Sequence, residues 1–223
     1  MDIIYEDNHI IVVNKASSDI VQGDKTGDTP LSEKVKEFLK VKYNKPGNVY
    51  LGVVHRLDRP VSGLIIFAKT SKVLPRLNKM FRDGSIDKRY WAIVKNRPEQ
   101  PVGHLTHYLV RNPKQNKSYA YDRIRPDSKK AELEYQLIGE SDNYFLLEVN
   151  LLTGRHHQIR TQLAKIGSPI KGDLKYGFAR SNKDASISLH ARSLSFIHPV
   201  SDIELNLEAP LPEDKLWREF NPV

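Results

Sequence analysis

Cysteine is missing from all 223 residues. Its absence excludes disulfides, thiolate metal sites and a cysteine nucleophile, and it fits a chain kept in a reducing cytosol. Long apolar runs are missing too, since no stretch approaches the roughly 20 residues that a membrane-spanning helix needs. The opening MDIIYEDNHI has acids and no basic segment ahead of an apolar one, so it does not read as a secretory signal. Repeats, low-complexity linkers and Gly/Ser hinges are also lacking. One domain over residues 1–223 is therefore the expectation, long enough to bury a sizeable core. Negative charge is the scarcer sign, with 27 Asp+Glu against 35 Lys+Arg and a net charge of +8. That excess suits a polyanionic partner such as nucleic acid, and equally a merely soluble basic protein. The distribution of the cations has to decide.

IIYEDNHIIVVNK reads as two short strands around an Asp-Asn-His turn. Thr29 and Pro30 suit an N-cap and a first helical position. Leu31, Val35, Phe38, Leu39 and Lys42 then follow at helical spacing to about Tyr43. A strand near 49–55, a polar bend and a strand at 64–68 come next. Ser71 is placed to cap a second helix through Val73, Leu77, Met80 and Phe81, stopped by Gly84. KRYWAIV predicts a strand with Tyr90, Ala92 and Val94 on one face. Residues 111–130, RNPKQNKSYAYDRIRPDSKK, carry seven Lys/Arg and two Asp with Tyr119 and Tyr121 between them. This basic loop or irregular hairpin fits either a solvated edge or an edge that faces RNA. AELEYQLI, NYFLLEVNLL, ISLHARSLSFI and DIELNLEA complete the strands. Strands joined by short turns with few helices between them predict an antiparallel-rich α+β fold.

Polar clusters interrupt the apolar segments at Asn14-Lys15, His55-Arg56-Leu57-Asp58, Lys88-Arg89-Tyr90, Thr153 to Arg160, and Leu189 to Arg192. Within VVHRLDRPVSGLIIF, residues 53–67, Pro60 to Gly63 reads as the turn. HHQIRTQLAKI has Ile159, Leu163 and Ile166 at helical spacing, ended by Gly167 and Pro169. Arg155 to Gln158 would form that helix's first turn. Arg there opposes the macrodipole and points to a nearby anion, either a ligand or a carboxylate. Metal ligation by His55, Asp58, His156, His157, His190 or His198 is disfavoured, because arginine flanks the candidates and no HxH or HExxH spacing occurs. VSGL is not the GxSxG elbow of a serine hydrolase. What remains is Asp58 among arginines. A neighbouring cation keeps an aspartate ionised, as a nucleophile or base needs, and an ion-paired turn would look the same.

HRLDRPVSGL resembles the catalytic HRLD segment of the RluA-type pseudouridine synthases. DNHIIVVNK, KRYWAIV, LLTGRHHQIRTQLAKIGSPIKGDLKYG and LHARSLSFIHP are similar to further segments of that family, in the same order and across nearly the whole chain. The resemblance implies an antiparallel-rich mixed sheet with flanking helices and loops forming a central catalytic cleft. It implies an isomerase that converts uridine in rRNA or tRNA to pseudouridine in the cytoplasm, as a monomer, with no cofactor, metal or membrane. By the same resemblance Asp58 is the essential aspartate, attacking the ribose C1′ or removing the C2′ proton. Tyr90 is the active-site tyrosine, and Arg160 pairs with the aspartate. Arg56 helps extrude the target nucleotide, a step that costs a few kcal/mol of unstacking. RNA contact or pocket shaping is expected from His55, Arg155, His157, Lys15, Lys117 and Arg123. An RNA-binding or RNA-folding protein with incidental catalysis is the alternative reading.

Two departures from the family pattern stand out. NKASSDIVQGD replaces the usual NKP-x-G-x-x-x-H, which bears on RNA contact and specificity. Many relatives carry an N-terminal S4 domain, whereas Met1 here lies almost directly on the catalytic segment. The 111–130 stretch is accordingly expected to hold the RNA.

Overall fold

The computed structural model describes residues 1–23 and 27–220. Asp24, the last residue of the NKASSDIVQGD run, lies outside the described residues. The chain's contacts gather into two compact units. The first takes Met1–Ile86 and Ser193–Pro210, and the second takes Asp87–Arg192 and the segment from Leu211.

In the first unit, β1 (Asp2–Glu6) and β2 (Ile10–Lys15) form the antiparallel hairpin expected from their pattern. Asp7 builds its turn, Oδ1 accepting from the His9 and Ile10 N–H groups at 2.7 and 2.8 Å. Ile10 to Val13 are buried without a break, so β2 is covered on both faces. It pairs with β4 (Ser62–Ala68) in a register from Ile10↔Ala68 to Lys15↔Gly63. β4 also meets β3 (Gly52–Val53). Ser193–Ile197 of β10 (Leu189–Ile197) pair with β11 (Glu204–Glu208). Ile10, Val12, Leu64, Ile66 and Ala68 pack with Leu77, Ile86, Leu194 and Phe196 into one core.

The two helices of this unit start at positions that side-chain capping patterns do not give. α1 (Leu31–Lys42) has no side-chain cap from Thr29. Its first N–H groups, on Leu31 and Ser32, donate instead to the Ile20 and Val21 carbonyls. α2 (Leu74–Asp83) is opened by Thr70 rather than Ser71, with the Thr70 carbonyl accepting from the Val73 and Leu74 N–H groups. That start moves Pro75 into the first turn, where its missing N–H costs nothing. Gly84, at φ 74°, ends the helix as expected.

The second unit is an antiparallel array in the order β5 (Asp87–Val94), β9 (Phe145–Leu151), β8 (Lys129–Glu140), β6 (Val102–Asn112), β7 (Lys117–Tyr121). The first half of β10 lies beside β5. β6 and β7 make residues 111–121 of the basic stretch part of a hairpin, with the Asn112 side chain accepting from the Gln115 N–H in the turn, and 122–128 lead on to β8. Tyr135 on β8 lies flat over Gly103 of β6, so close that a Cβ there would sit 2.5 Å from the ring. α3 (Gln158–Lys165), a 3₁₀ turn at Leu174–Tyr176 and α4 (Lys215–Glu219) complete this unit. The observed class is the antiparallel-rich α+β arrangement that the pattern predicts.

Candidate active site

Why the chain leaves the sheet at His55 is visible in its hydrogen bonds. β3 pairs with β4 through Gly52↔Ala68 and Val53↔Phe67. At the next position inward on β4, the Ile66 N–H donates to His55 Nε2 at 3.0 Å. An imidazole thus takes the place of a strand carbonyl, and the ring stacks on Phe81 at 4.4 Å between centroids. The backbone is released, and Arg56 to Pro60 form a loop. Leu57 and Val61 turn inward and are buried, Arg56 and Arg59 turn out to solvent, and Asp58 is half-buried between them. The turn closes from the Val61 N–H to the Asp58 carbonyl at 3.0 Å, two residues earlier than Pro60 to Gly63. Gly63 instead sits within β4 at φ 112°.

Lys15 braces this loop from inside. The family resemblance implies RNA contact or pocket shaping for Lys15; its side chain is buried, with 1% of the residue exposed. Nζ donates to the Ala16 and Arg59 carbonyls at 2.8 and 3.1 Å. Burial pulls its pKa down to about 8, against the attraction of Asp19 and Asp58, with Arg59 lowering it further. The Arg59 carbonyl also accepts from the Ser18 N–H, so the NKASS segment and the HRLDR loop are stitched together. The Arg59 side chain pairs with Asp28 at 2.7 Å, an exposed contact that adds little stability.

In the second unit, Tyr90 lies in β5 opposite Val149, buried on the face it shares with Lys88 and Ala92. α3 begins at Gln158 rather than at Arg155. The Gln158 side chain folds back, its Oε1 accepting from the Arg155 N–H at 2.9 Å and the Thr153 hydroxyl at 2.8 Å. Those bonds hold 153–157 as a loop. Arg155 is exposed, and its Nε donates to the Lys130 carbonyl. His157 takes the left-handed conformation at φ 54°, which costs a non-glycine residue about 1–2 kcal/mol. Its Nδ1 lies 2.9 Å from the Tyr176 hydroxyl. Burial first, then Arg160 and His156, push its pKa down to about 2, so the ring is neutral at any ordinary pH.

Arg160 now falls in the true first turn of α3 and is 5% exposed. The sequence pattern places the first-turn arginine, and the anion beside it, at Arg155; Arg160 holds that place instead, with the Asp173 carboxylate as its partner. Asp173 accepts from Nε at 2.7 Å and from Nη2 at 2.9 Å. This fork-to-fork pair is buried on both sides, so removing one partner would cost about 3–5 kcal/mol. Just before Asp173, Gly172 lies at φ 86°, and a Cβ there would sit 2.8 Å from both the Asn182 side chain and the Ser186 carbonyl, so this turn packs closely against 182–186. Lys117 is half-buried beside Tyr119 and Tyr176, its ammonium 5.5 and 5.2 Å from the two ring centres, while Arg123 is exposed.

Most histidines weighed as metal ligands are engaged within the protein. His55 holds Ile66, and His156 lies against Ser118 and Asn116. His198 Nδ1 accepts from the Val200 and Ser201 N–H groups, and its Nε2 is 3.0 Å from Asp7. Among the described residues, no group of three or more His, Asp or Glu is placed to hold a metal ion. Asp173, Tyr176 and Ser118 are the residues that motif reasoning passed over. GDLKYG carried a signal for two of them, a glycine ahead of a buried acid and an aromatic, but their partners lie on other elements.

An antiparallel α+β framework presenting an aspartate loop in one unit, and a buried arginine fork with a basic hairpin in the other, fits an enzyme that works on nucleic acid. Residues 9–165 match the RNA pseudouridylate synthase family, and the chain belongs to that family. It is 34% identical to the ribosomal large subunit pseudouridine synthase D of Zymomonas mobilis, across 96% of this chain and 70% of that protein. It is 32% identical to the RNA pseudouridine synthase YjbO of Bacillus subtilis, across 96% and 74%. Against the synthase C of Vibrio cholerae it is 29% identical, across 94% of this chain and 65% of the relative. The fold is that of human RNA pseudouridylate synthase domain containing 4, with a TM-score of 0.79 at 24% identity, covering 95% of this chain and 89% of that one. The chain is thus an isomerase that acts on RNA, converting uridine to pseudouridine. No helix among the described residues is long and apolar enough to cross a membrane.

Proposed function

We propose that this chain converts uridine to pseudouridine in the RNA of the large ribosomal subunit, with Asp58 as the essential carboxylate. The substrate class is supported by the names of the Zymomonas and Vibrio relatives. One observation carries the role of Asp58: a buried lysine and a histidine bonded to a strand hold open a loop with this acid at its centre. Such bracing suits a group that must meet a substrate in one geometry. In the reaction the N1–C1′ bond of the uridine breaks, the uracil turns, a C5–C1′ bond forms, and the proton lost from C5 is matched by one gained at N1. Asp58 attacks C1′, its bond there breaking again as C5 joins, or removes the C2′ proton and later returns it; Tyr90 lies against the base, and Arg160 is the basic residue that serves this chemistry. Arg56, exposed on the same loop, takes the space of the extruded nucleotide, and the β6–β7 hairpin holds the RNA backbone through its cations and tyrosines. The enzyme works as a monomer in the cytoplasm without metal or cofactor.

Asp58→Asn is expected to bind large-subunit RNA fragments as the parent does and to form no pseudouridine. Pseudouridine mapping of cellular RNA with the gene present and deleted identifies the position. Wild-type product formation by Asp58→Asn would overturn the assignment, and sites only in tRNA would overturn the substrate.

A further inference from the structure

The turn after Gly172 has no assigned part in the reaction, yet it surrounds Arg160. We infer that Asp173 and Tyr176 are positioning residues that set the orientation of the Arg160 guanidinium and tie it to strand β7. The inference rests on the reading above in which Arg160 serves the chemistry of Asp58.

Asp173, 1% exposed, fixes the Nε edge of Arg160 with two short bonds. The Tyr176 ring lies 5.1 Å from the guanidinium carbon and, by its centre, 5.2 Å from the Lys117 ammonium. A ring face attracts both cations, so the pair sets where the ring lies. The Tyr176 hydroxyl accepts from the Ser118 N–H at 2.8 Å, which leaves its own proton to donate to His157 Nδ1 at 2.9 Å. His157 then carries its proton on Nε2, as a neutral ring requires.

Ser118 is the anchor on the other side. Its N–H goes to Tyr176, its carbonyl accepts from the Thr161 hydroxyl at 3.1 Å, and its hydroxyl donates to the His156 carbonyl at 2.8 Å. Every polar atom of one β7 residue is therefore bonded to α3, to the loop before it or to the 173–176 turn. Its neighbours Lys117 and Tyr119 lie in the hairpin proposed to hold RNA, and Lys117 also reaches the Tyr176 ring. Ser118 and Tyr176 connect that strand to the arginine through fixed hydrogen bonds. The ion pair alone would make Asp173 a stability element. The contacts of Tyr176 with both the arginine and β7 are what a positioning device requires.

The test uses Asp173→Asn, Tyr176→Phe and Arg160→Lys, singly and in pairs. Single-turnover rates at saturating RNA are measured beside RNA affinity and thermal midpoint. Tyr176→Phe keeps the ring and removes only the hydroxyl, so it remains informative where Asp173→Asn folds poorly. Each single variant is expected to lose about tenfold or more in rate with affinity within about twofold, the split for an interaction needed only at the chemical step. Combined with Arg160→Lys, which has no guanidinium fork to orient, either change should add little, because residues acting as one unit are not additive. Wild-type rates in Asp173→Asn and Tyr176→Phe, losses shared equally with affinity, or full additivity with Arg160→Lys would overturn the inference. An Arg160→Ala enzyme of wild-type rate would instead overturn the role of Arg160 itself.

Discussion

Lys15 shows how one buried charge can serve a loop. A lysine in a low-dielectric site costs stability where its donors go unmet, and here the Ala16 carbonyl and the Arg59 carbonyl of the Asp58 loop take two of its three donors. Lys15→Met would keep the stem's volume and delete both bonds. We expect a loss of about 1–3 kcal/mol in urea denaturation from the two hydrogen bonds removed, the Arg59 carbonyl keeping only the Ser18 N–H. We also expect a catalytic loss of about tenfold or more from the slackened loop, since misplacement near 1 Å can cost about 100-fold. An unchanged single-turnover rate in Lys15→Met would remove it from the catalytic architecture. Asn14-Lys15 was legible as a polar interruption of β2. Its direction was not, because a strand pattern gives the face of a residue and not whether that face is wet.

Elements are joined by a second buried charge. Glu6 ends β1, and its carboxylate is reached by Lys42 at the end of α1, by Lys69 just past β4, and by the Tyr43 hydroxyl at 2.7 Å. Burial alone would raise its pKa, but these hydrogen bonds outweigh burial and hold it at about 2, below the ordinary 4.5. The folded value is depressed, so the stabilisation is complete above about pH 4.5 and is lost as pH falls from there towards 2. Glu6→Gln should flatten the loss of stability across that interval, by about 1–2 kcal/mol once solvent screening is allowed for. Equal denaturation midpoints for parent and variant at about pH 3, after correction at about pH 7, would contradict the network's role. At this scale the sequence was a good guide to existence and a poorer one to ends. Periods of two and 3.6 predicted the β1–β2 hairpin, β5, α1 and α3. The starts of α1 and α2 shifted because backbone carbonyls at Ile20, Val21 and Thr70 took up the first N–H groups, and that of α3 because the Gln158 side chain holds 153–157 as a loop.

The whole molecule carries +8, with seven of its cations in the 111–130 stretch around the β6–β7 hairpin. RNA affinity should fall steeply with salt, because bound phosphates release their counterions. Replacing Lys114, Lys117, Arg123 and Arg125 by alanine should lower the salt slope by about 0.7–0.9 for each phosphate that is no longer neutralised. A slope unchanged in that variant would place the RNA elsewhere. The sequence by itself determined the fold class, the order of strands and helices, the RNA-attracting charge and the aspartate loop, because apolar period, turn chemistry and motif spacing are local properties of the chain. The tertiary structure alone decided that Lys15 faces inward, that His55 ends a strand pairing and that Arg160 lies in the fork of Asp173. Arg59, Ile66 and Asp173, the partners that decide these placements, sit 44, 11 and 13 residues away. A hydrogen-bond partner at such a distance is chosen by where packing brings the backbone and which groups it removes from water.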